Sequence, residues 1–265
     1  MPELPDVAYF KRCIDRTALR KKITAVHCGD ERVFKNTNCQ ALGRVLKGER
    51  FTETKRYGKF LIINLTDSGK KLVLHFGMTG NISYREGEAK TEDEKKYSQL
   101  TIEFDDESRL FWINKRLLGS VYLIDKIDEV PTIQEMGPDA LELSESLFLK
   151  LLSDHERQNI KAFLMDQTNI AGLGNEYSNE LLFQTEIDPH RKIRDLSKSE
   201  RKKIYKVMRD VLEQAIKIGV PANPFPDDWL LAHGDDMTCP KDSKHNLQKE
   251  TIAGRTAIYC PAHQV

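Results

Sequence analysis

The hydrophobic pattern of this chain changes its period partway along, and that change limits the fold more than any other feature. Between about Ile23 and Ile124 the apolar residues fall in short β-type runs punctuated by Gly, Asn and Asp. Lys59-Phe-Leu-Ile-Ile-Asn-Leu65, Lys71-Leu-Val-Leu-His-Phe76 and Arg109-Leu-Phe-Trp-Ile113 are examples. Several strands at this spacing predict a sandwich or barrel. Past a linker around Ile127 to Gly137, ending at Pro138, the period becomes helical: Ala140 to Leu152, Arg157 to Asp166, Asn175 to Phe183 and Ser197 to Ile218. The same spacing opens the chain, with Leu4, Val7, Phe10, Ile14 and Ala18 on one helix face and Lys11, Arg12, Arg16, Arg20, Lys21 and Lys22 on or near the other.

Punctuation sharpens this outline. Ser197 followed three residues later by Glu200 has the form of a capping box and marks a helix start. After Gly219, the residues Pro221, Pro224 and Pro226 end helix. The charged, apolar-poor stretch Gly87 to Lys96 is expected to be an exposed hairpin loop. No internal repeat is visible. At 265 residues the chain is long enough for a real core and for one or two domains, with a short appendix from about Trp229 to Val265.

Composition excludes little. Lys plus Arg and Asp plus Glu are 41 each, so net charge points to no partner. No apolar run approaches the ~18 residues needed to span a bilayer, so no membrane association is expected. Pro2, Glu3 and Asp6, followed by cations, do not make a secretory signal. An odd number of cysteines, 5, without an export signal favours a reduced intracellular setting. Cys13, Cys28 and Cys39 are scattered and are expected to be ordinary thiols.

Cys239, His245, Cys260 and His263 form C-x5-H-x14-C-x2-H. Two thiolates and two imidazoles suit tetrahedral zinc with no open coordination position, so one structural Zn2+ is expected to hold the terminal segment. Asp242 is the alternative to His245 in that set.

A Met1-Pro2 start normally loses its methionine and exposes a secondary amine. An α-amino group titrates at about 7.7–8.0, so a useful fraction is neutral near pH 7. A neutral amine of this kind can attack a sugar C1′ and form an iminium. Glu3, next to it, can move protons. Pro2-Glu-Leu-Pro-Asp-Val7, His75-Phe-Gly-Met-Thr-Gly80, Ile160-Lys-Ala-Phe-Leu-Met-Asp166, Ile170-Ala-Gly-Leu-Gly-Asn-Glu-Tyr177 and Gly254-Arg-Thr-Ala-Ile-Tyr-Cys260 follow one another in order. Together they resemble the formamidopyrimidine-DNA glycosylase and endonuclease VIII family across essentially the whole chain.

The resemblance implies an α+β multidomain fold: an N-terminal β-sandwich catalytic domain with a flanking helix (1–130), a helix–two-turns–helix DNA-binding domain (131–228) and a C-terminal zinc-finger hairpin (229–265). It implies a bifunctional glycosylase and abasic-site lyase of base-excision repair, acting on damaged DNA as a monomer and finishing by β,δ-elimination. Pro2 is then the nucleophile, Glu3 the proton donor and acceptor, and Lys59 holds the backbone beside the lesion. Lys161, Asn175 and Arg255 match phosphate-binding positions, and Arg255 completes the catalytic group. The N–H groups around Gly172 and Gly174 would favour a phosphate oxygen. Met78 matches the wedge that fills the gap left by a flipped base.

Asn114-Lys-Arg-Leu-Leu-Gly119 departs from the family's Arg-Arg-Phe: Arg116 would face the orphaned base and Leu118 would replace the aromatic wedge. Asp6 stands where glutamate is usual, near the damaged-base pocket. The segment Gly219 to Leu231 is shorter than in enzymes specialised for 8-oxoguanine, and the finger has Cys-His/Cys-His in place of four cysteines. Endonuclease VIII-like or formamidopyrimidine substrates are therefore expected ahead of 8-oxoguanine. Two other readings are a non-catalytic binder of damaged or abasic DNA with the same fold, and an unrelated zinc-stabilised nucleic-acid module using Lys198, Arg201, Lys202, Lys203 and Lys206.

Overall fold

A computed structural model describes residues 1–234 and 236–265. The chain divides into two compact units: Met1–Pro2 with Asp6–Glu135, and Glu3–Pro5 with Met136–Val265.

The first unit opens with helix α1 (Leu4–Thr17), whose Val7, Phe10 and Ile14 are buried as the spacing predicts. Strand β1 (Ile23–Cys28), helix α2 (Cys39–Leu46), and strands β2 (Phe51–Tyr57), β3 (Phe60–Leu65), β4 (Lys71–His75) and β5 (Gly80–Glu86) follow. Helix α3 (Glu92–Tyr97), strands β6 (Ser98–Phe104), β7 (Ser108–Asn114) and β8 (Ser120–Ile124), and the short α4 (Pro131–Gln134) complete it. The strands make two four-stranded antiparallel sheets, ordered β1-β6-β7-β5 and β2-β3-β4-β8. Strand periodicity sends alternate residues to one face, so Leu61, Ile63, Leu72 and Leu74 of one sheet share a core with Leu100, Ile102, Leu110 and Trp112 of the other. The expected sandwich is present.

Two expectations fail here. Cys28 and Cys39 are joined in a disulfide, Cα–Cα 5.8 Å, rather than being ordinary thiols. Their separation of 11 residues carries no local signal. What pairs them is that the end of β1 and the first turn of α2 come within disulfide reach. The Gly87–Lys96 stretch is also not simply an exposed loop. Thr91 and Glu94 form a capping box that starts α3, and Glu94 is buried. Its carboxylate accepts from Ser83 Oγ, Arg85 Nε and the backbone of Lys90 and Thr91, which hold it down at about 2 against the opposing effect of burial.

The second unit is helical: α5 (Glu145–Asp154), α6 (Ile160–Met165), α7 (Asn175–Thr185), α8 (Lys198–Ile218) and α9 (Leu230–His233), then a hairpin of β9 (Gln248–Ile252) and β10 (Arg255–Tyr259). The first helix starts later than its periodicity predicts, because Ser144 caps it by accepting the Leu147 N–H. The Ser197/Glu200 capping box forms as read, and Gly219, φ 87°, ends α8 in the left-handed region. Phe148, Phe163, Leu181, Ile204, Met208 and Leu212 centre its core. A smaller cluster of Phe183, Leu230, Cys239, Leu247 and Cys260 seats the terminal segment. No helix is long and apolar enough among the described residues to cross a membrane.

Candidate active site

In the helical unit the site begins at a glycine. Gly172 has φ 113°, and a Cβ there would lie 2.5 Å from Leu4 Cδ1. Only glycine lets the N-terminal residues lie so close, and the Leu4 N–H donates to Gly172 O at 3.1 Å. That placement drops Glu3 onto the start of α7. Gly174, the residue before α7, has no side chain with which to cap it. Glu3 takes over: its fully buried carboxylate accepts the N–H groups of Gly174 (2.6 Å), Glu176 (3.0 Å) and Tyr177 (3.3 Å). The positive end of the helix and these donors meet a carboxylate cut off from water, and their hydrogen bonds replace the solvation it has lost. The Gly174 N–H is thus taken, and the Gly172 N–H donates to Gln167 Oε1 at 3.0 Å. These two groups do not await a phosphate, contrary to the sequence expectation.

Lys161, on α6, has no exposed surface. Its ammonium donates to Asn175 Oδ1 (3.0 Å), Ser178 Oγ (3.2 Å) and Asn179 Oδ1 (2.5 Å), filling its three donor positions. Burial lowers it to about 8, against the pull of the Glu3 charge in the other direction. The structure thus joins three expected residues, Glu3, Lys161 and Asn175, and adds Ser178 and Asn179, which the sequence reading missed. Their signal was available: Asn175, Ser178 and Asn179 fall at i, i+3 and i+4 on one helix.

In the sandwich unit, Pro2 is half-buried and its nitrogen carries Met1 in the chain as given. Lys59 is buried in the turn between β2 and β3, where Gly58 has φ 53°. His75, opposite Phe60 across the sheet, has its ring centroid 4.7 Å from that of Phe60. Burial, with the Lys59 charge adding, pulls His75 down to about 4, so it is neutral at pH 7.

The turns that carry Met78, Arg116 and Leu118 lie against each other. Gly77, φ 59°, would place a Cβ 2.5 Å from the Leu118 carbonyl carbon, so the two turns touch backbone to backbone. Arg116 donates from its backbone N–H to Thr79 Oγ1 (3.2 Å) and from its guanidinium to Met78 Sδ (3.3 Å). Buried Asn114 locks the pair, donating to Phe76 O at 3.0 Å and accepting the Gly119 N–H at 3.4 Å. Sequence reading quoted Asn114 but gave it no role. Met78 and Leu118 remain 41% and 51% exposed, large apolar side chains held out toward solvent.

Arg255 is exposed at the start of β10, after a tight turn in which Ala253 (φ 51°) and Gly254 (φ 72°) are both left-handed. Of the expected metal ligands, Cys239 and Cys260 are free thiols buried in one small apolar cluster. His263 packs on Phe183, ring centroids 5.0 Å apart, and its Nε2 is buried with no hydrogen-bond partner among the described residues. His245 faces solvent, with Nδ1 3.9 Å from Asp242 Oδ2. Among the described residues no three metal-binding side chains are gathered tightly enough to hold an ion.

The sandwich unit and the helical unit each match a domain of one DNA-glycosylase family. The profile of the formamidopyrimidine-DNA glycosylase N-terminal domain matches residues 1–121, and that of the family's H2TH domain matches residues 136–223. The formamidopyrimidine-DNA glycosylase of Mycoplasma genitalium is 32% identical over 98% of this chain and 94% of its own length. That of Pelotomaculum thermopropionicum is 29% identical over 100% and 99%. The Lactococcus lactis enzyme, solved non-covalently bound to DNA containing an abasic site, superposes with a TM-score of 0.84 at 26% identity, covering 99% of each chain. The chain belongs to the formamidopyrimidine-DNA glycosylase and endonuclease VIII family.

Proposed function

We propose that this protein is a bifunctional DNA glycosylase and abasic-site lyase of base-excision repair, with the Pro2 amine as nucleophile once Met1 is removed. The observation that carries the reading is the Glu3 carboxylate, held by three backbone N–H groups one peptide bond from Pro2. A buried carboxylate so fixed beside a secondary amine is a prepared acid–base partner.

The Pro2 nitrogen lone pair bonds to C1′ as the C1′–base bond breaks, and the base leaves with that electron pair and a proton. Glu3 delivers a proton to the ring oxygen, the ring opens, and the Pro2 proton is lost to give an iminium at C1′. Loss of a C2′ proton expels the 3′ phosphate, and loss of a C4′ proton expels the 5′ phosphate. Water then frees the amine. Lys59 and Arg255 hold phosphates beside the lesion, and Lys161 holds and charges the Asn175 position from behind. Met78 and Leu118 fill the gap left by the flipped nucleotide while Arg116 faces the unpaired base. Damaged DNA is the partner; the neighbouring Lactococcus lactis structures contain abasic-site and formamidopyrimidine DNA, and the relatives' names favour ring-opened purines as substrates. The protein works as an intracellular monomer.

One structural zinc belongs to the same proposal. Two buried thiols and the unpartnered His263 Nε2 suit it, with His245 or Asp242 as fourth ligand. Bound there, the metal would supply folding energy to the terminal segment. Metal analysis of the purified protein should give one zinc per chain, and a metal-free folded protein removes this part.

The central test is borohydride trapping on duplexes carrying formamidopyrimidine, thymine glycol, dihydrouracil, 8-oxoguanine or an abasic site, with the N-terminus checked by mass spectrometry. A covalent adduct lost when the Pro2 amine is blocked is the expected result. No adduct on any duplex, with Met1 absent and DNA binding intact, establishes instead a non-catalytic damage binder.

A further inference from the structure

The loop that follows α7 is fastened to the start of α6. Asn159, which caps α6, donates from its side-chain amide to Pro189 O at 2.8 Å, and the Ile160 N–H donates to Arg191 O at 3.0 Å. His190 stands between these two anchors with both ring nitrogens in use. Nδ1 lies 2.7 Å from Asp188 Oδ1 in the same loop, and Nε2 lies 2.9 Å from Glu250 Oε2 on β9. The ring also meets that of Tyr259 on β10 edge to face, centroids 5.3 Å apart and planes at 78°. The Tyr259 hydroxyl donates to the other Glu250 oxygen at 2.7 Å. One loop thus touches both strands of the terminal hairpin.

That contact lies close to Arg255. Glu250 pairs with Ala257 and Ile252 with Arg255, so the hairpin is held two residues from the pair that carries Arg255, about 7 Å along the strand. Alternation puts Glu250, Ile252, Arg255, Ala257 and Tyr259 on one face of it. A neutral imidazole has one N–H and one lone pair, so it donates to one carboxylate and turns its lone pair toward the other. The imidazolium donates to both. The charged and titratable groups that face the ring are Asp188 from its own loop, Glu250 from β9 and Tyr259 from β10. Burial, which disfavours the charged ring, is outweighed by the hydrogen bonds to Asp188 and Glu250, and His190 is raised above its ordinary value. Glu250 is lowered by the Tyr259 hydroxyl and by His190. Burial and the bond to Glu250 push Tyr259 up to about 12, so it keeps its proton.

We propose that His190 is a positioning residue for DNA binding: as an imidazolium it clips β9 to the loop after α7 and so fixes the aim of Arg255 at its phosphate. The inference rests on the glycosylase reading and deepens it, since there Arg255 holds a phosphate beside the lesion. A group whose folded value is raised contributes fully below its ordinary value and stops contributing as pH rises through the folded one. The clip is therefore closed near pH 6. It opens on one side as His190 loses its proton, and the hold of Arg255 on the phosphate weakens with it.

The test is equilibrium binding of the full chain to a duplex carrying a tetrahydrofuran abasic analogue, which lacks the C1′ hydroxyl and forms no iminium. Wild type, His190→Arg and His190→Gln are compared from about pH 6 to about 8.5, each also with Arg255→Ala. Dividing the wild-type dissociation constant by that of His190→Arg cancels the other titrating groups, which the two proteins share. This quotient should be near one at pH 6 and rise about fivefold by pH 8.5, because the arginine keeps its charge. His190→Gln should bind about fivefold more weakly than wild type at pH 6 and equal it at pH 8.5. With Arg255→Ala all three should bind alike at every pH, which a merely structural defect would not produce. A flat quotient, or a His190 effect that survives Arg255→Ala, overturns the proposal. Should arginine prove too long for the two carboxylates, wild type against His190→Gln decides alone, and curves that do not converge as pH rises overturn it. Wild type that does not bind the duplex removes the glycosylase reading and this inference with it. Wild type that binds, loses affinity with Arg255→Ala and is matched by both His190 variants at every pH removes only the inference.

Discussion

The cluster around Glu3 and Lys161 and the paired turns around Met78 and Leu118 are built on opposite principles. In the first, a carboxylate and an ammonium are wholly buried and met by at least three hydrogen bonds each. In the second, two large apolar side chains stand about half exposed on backbone held in left-handed conformations, Gly77 at φ 59° and Leu117 at φ 54°. The polar cluster is organised before any ligand arrives, and its cost is met when the chain folds. The apolar turns keep surface that water covers poorly and that becomes favourable only against a partner such as an opened base step. Preorganised charge and unspent apolar surface are thus held in different local architectures, and substitutions should separate them.

The largest effect is expected at Glu3. Glu3→Gln has one acceptor oxygen where the carboxylate has two, and its amide would point toward N–H donors. Base removal should fall about a hundredfold or more, and stability should drop by about 1–3 kcal/mol, read by single-turnover excision and urea denaturation. A stability loss with activity intact would mean that Glu3 only caps α7.

Lys161→Met leaves the Asn175 and Asn179 oxygens and the Ser178 hydroxyl around an apolar stem, at a cost of about 3 kcal/mol near pH 7. The pH dependence of stability gives a second readout. Lys161 is lowered to about 8 when folded, while the unfolded lysine titrates near 10.4. Between these values the unfolded chain holds a proton that the folded chain has released, so this group makes stability rise with pH over that window. The methionine variant should lack the rise, and an unchanged slope would argue that Lys161 is better solvated than its burial indicates.

Gly77→Ala breaks the other side of the comparison. A Cβ at positive φ, 2.5 Å from the Leu118 backbone, should cost about 1–3 kcal/mol. It should also spread the two turns and weaken lesion binding, which thermal melting and titration on abasic duplex would read together. The smallest effect on the fold belongs to Met78→Ala and Leu118→Ala, within about 0.5 kcal/mol of wild type, since neither side chain is in a core. Their cost should appear only on DNA, as base flipping slowed by roughly tenfold, followed by the fluorescence of a 2-aminopurine beside the lesion. A large loss of stability in either would show that these side chains are packing rather than waiting.

Much of the local chemistry was legible, though the Thr91/Glu94 capping box was not. The change of hydrophobic period divided the sandwich from the helices, the Ser197/Glu200 box opened α8, and Gly219 closed it. Met78, Arg116 and Leu118 were picked out from short motifs, and the structure brings them together. Each of these signals acts over a few residues, through backbone periodicity, a cap or a tight turn, so it is written where it acts.

What the tertiary structure decided lies between residues far apart. Glu3 accepts from the N–H of Gly174, 171 positions downstream at the start of α7, Cys28 finds Cys39, Glu94 turns inward beneath a charged surface stretch, and Glu180 accepts the Leu231 N–H, 51 residues away. No local pattern distinguishes a buried carboxylate from a solvated one. That depends on which N–H groups the fold leaves unpaired beside it, and a buried donor left without an acceptor costs enough to determine where each of these side chains must lie.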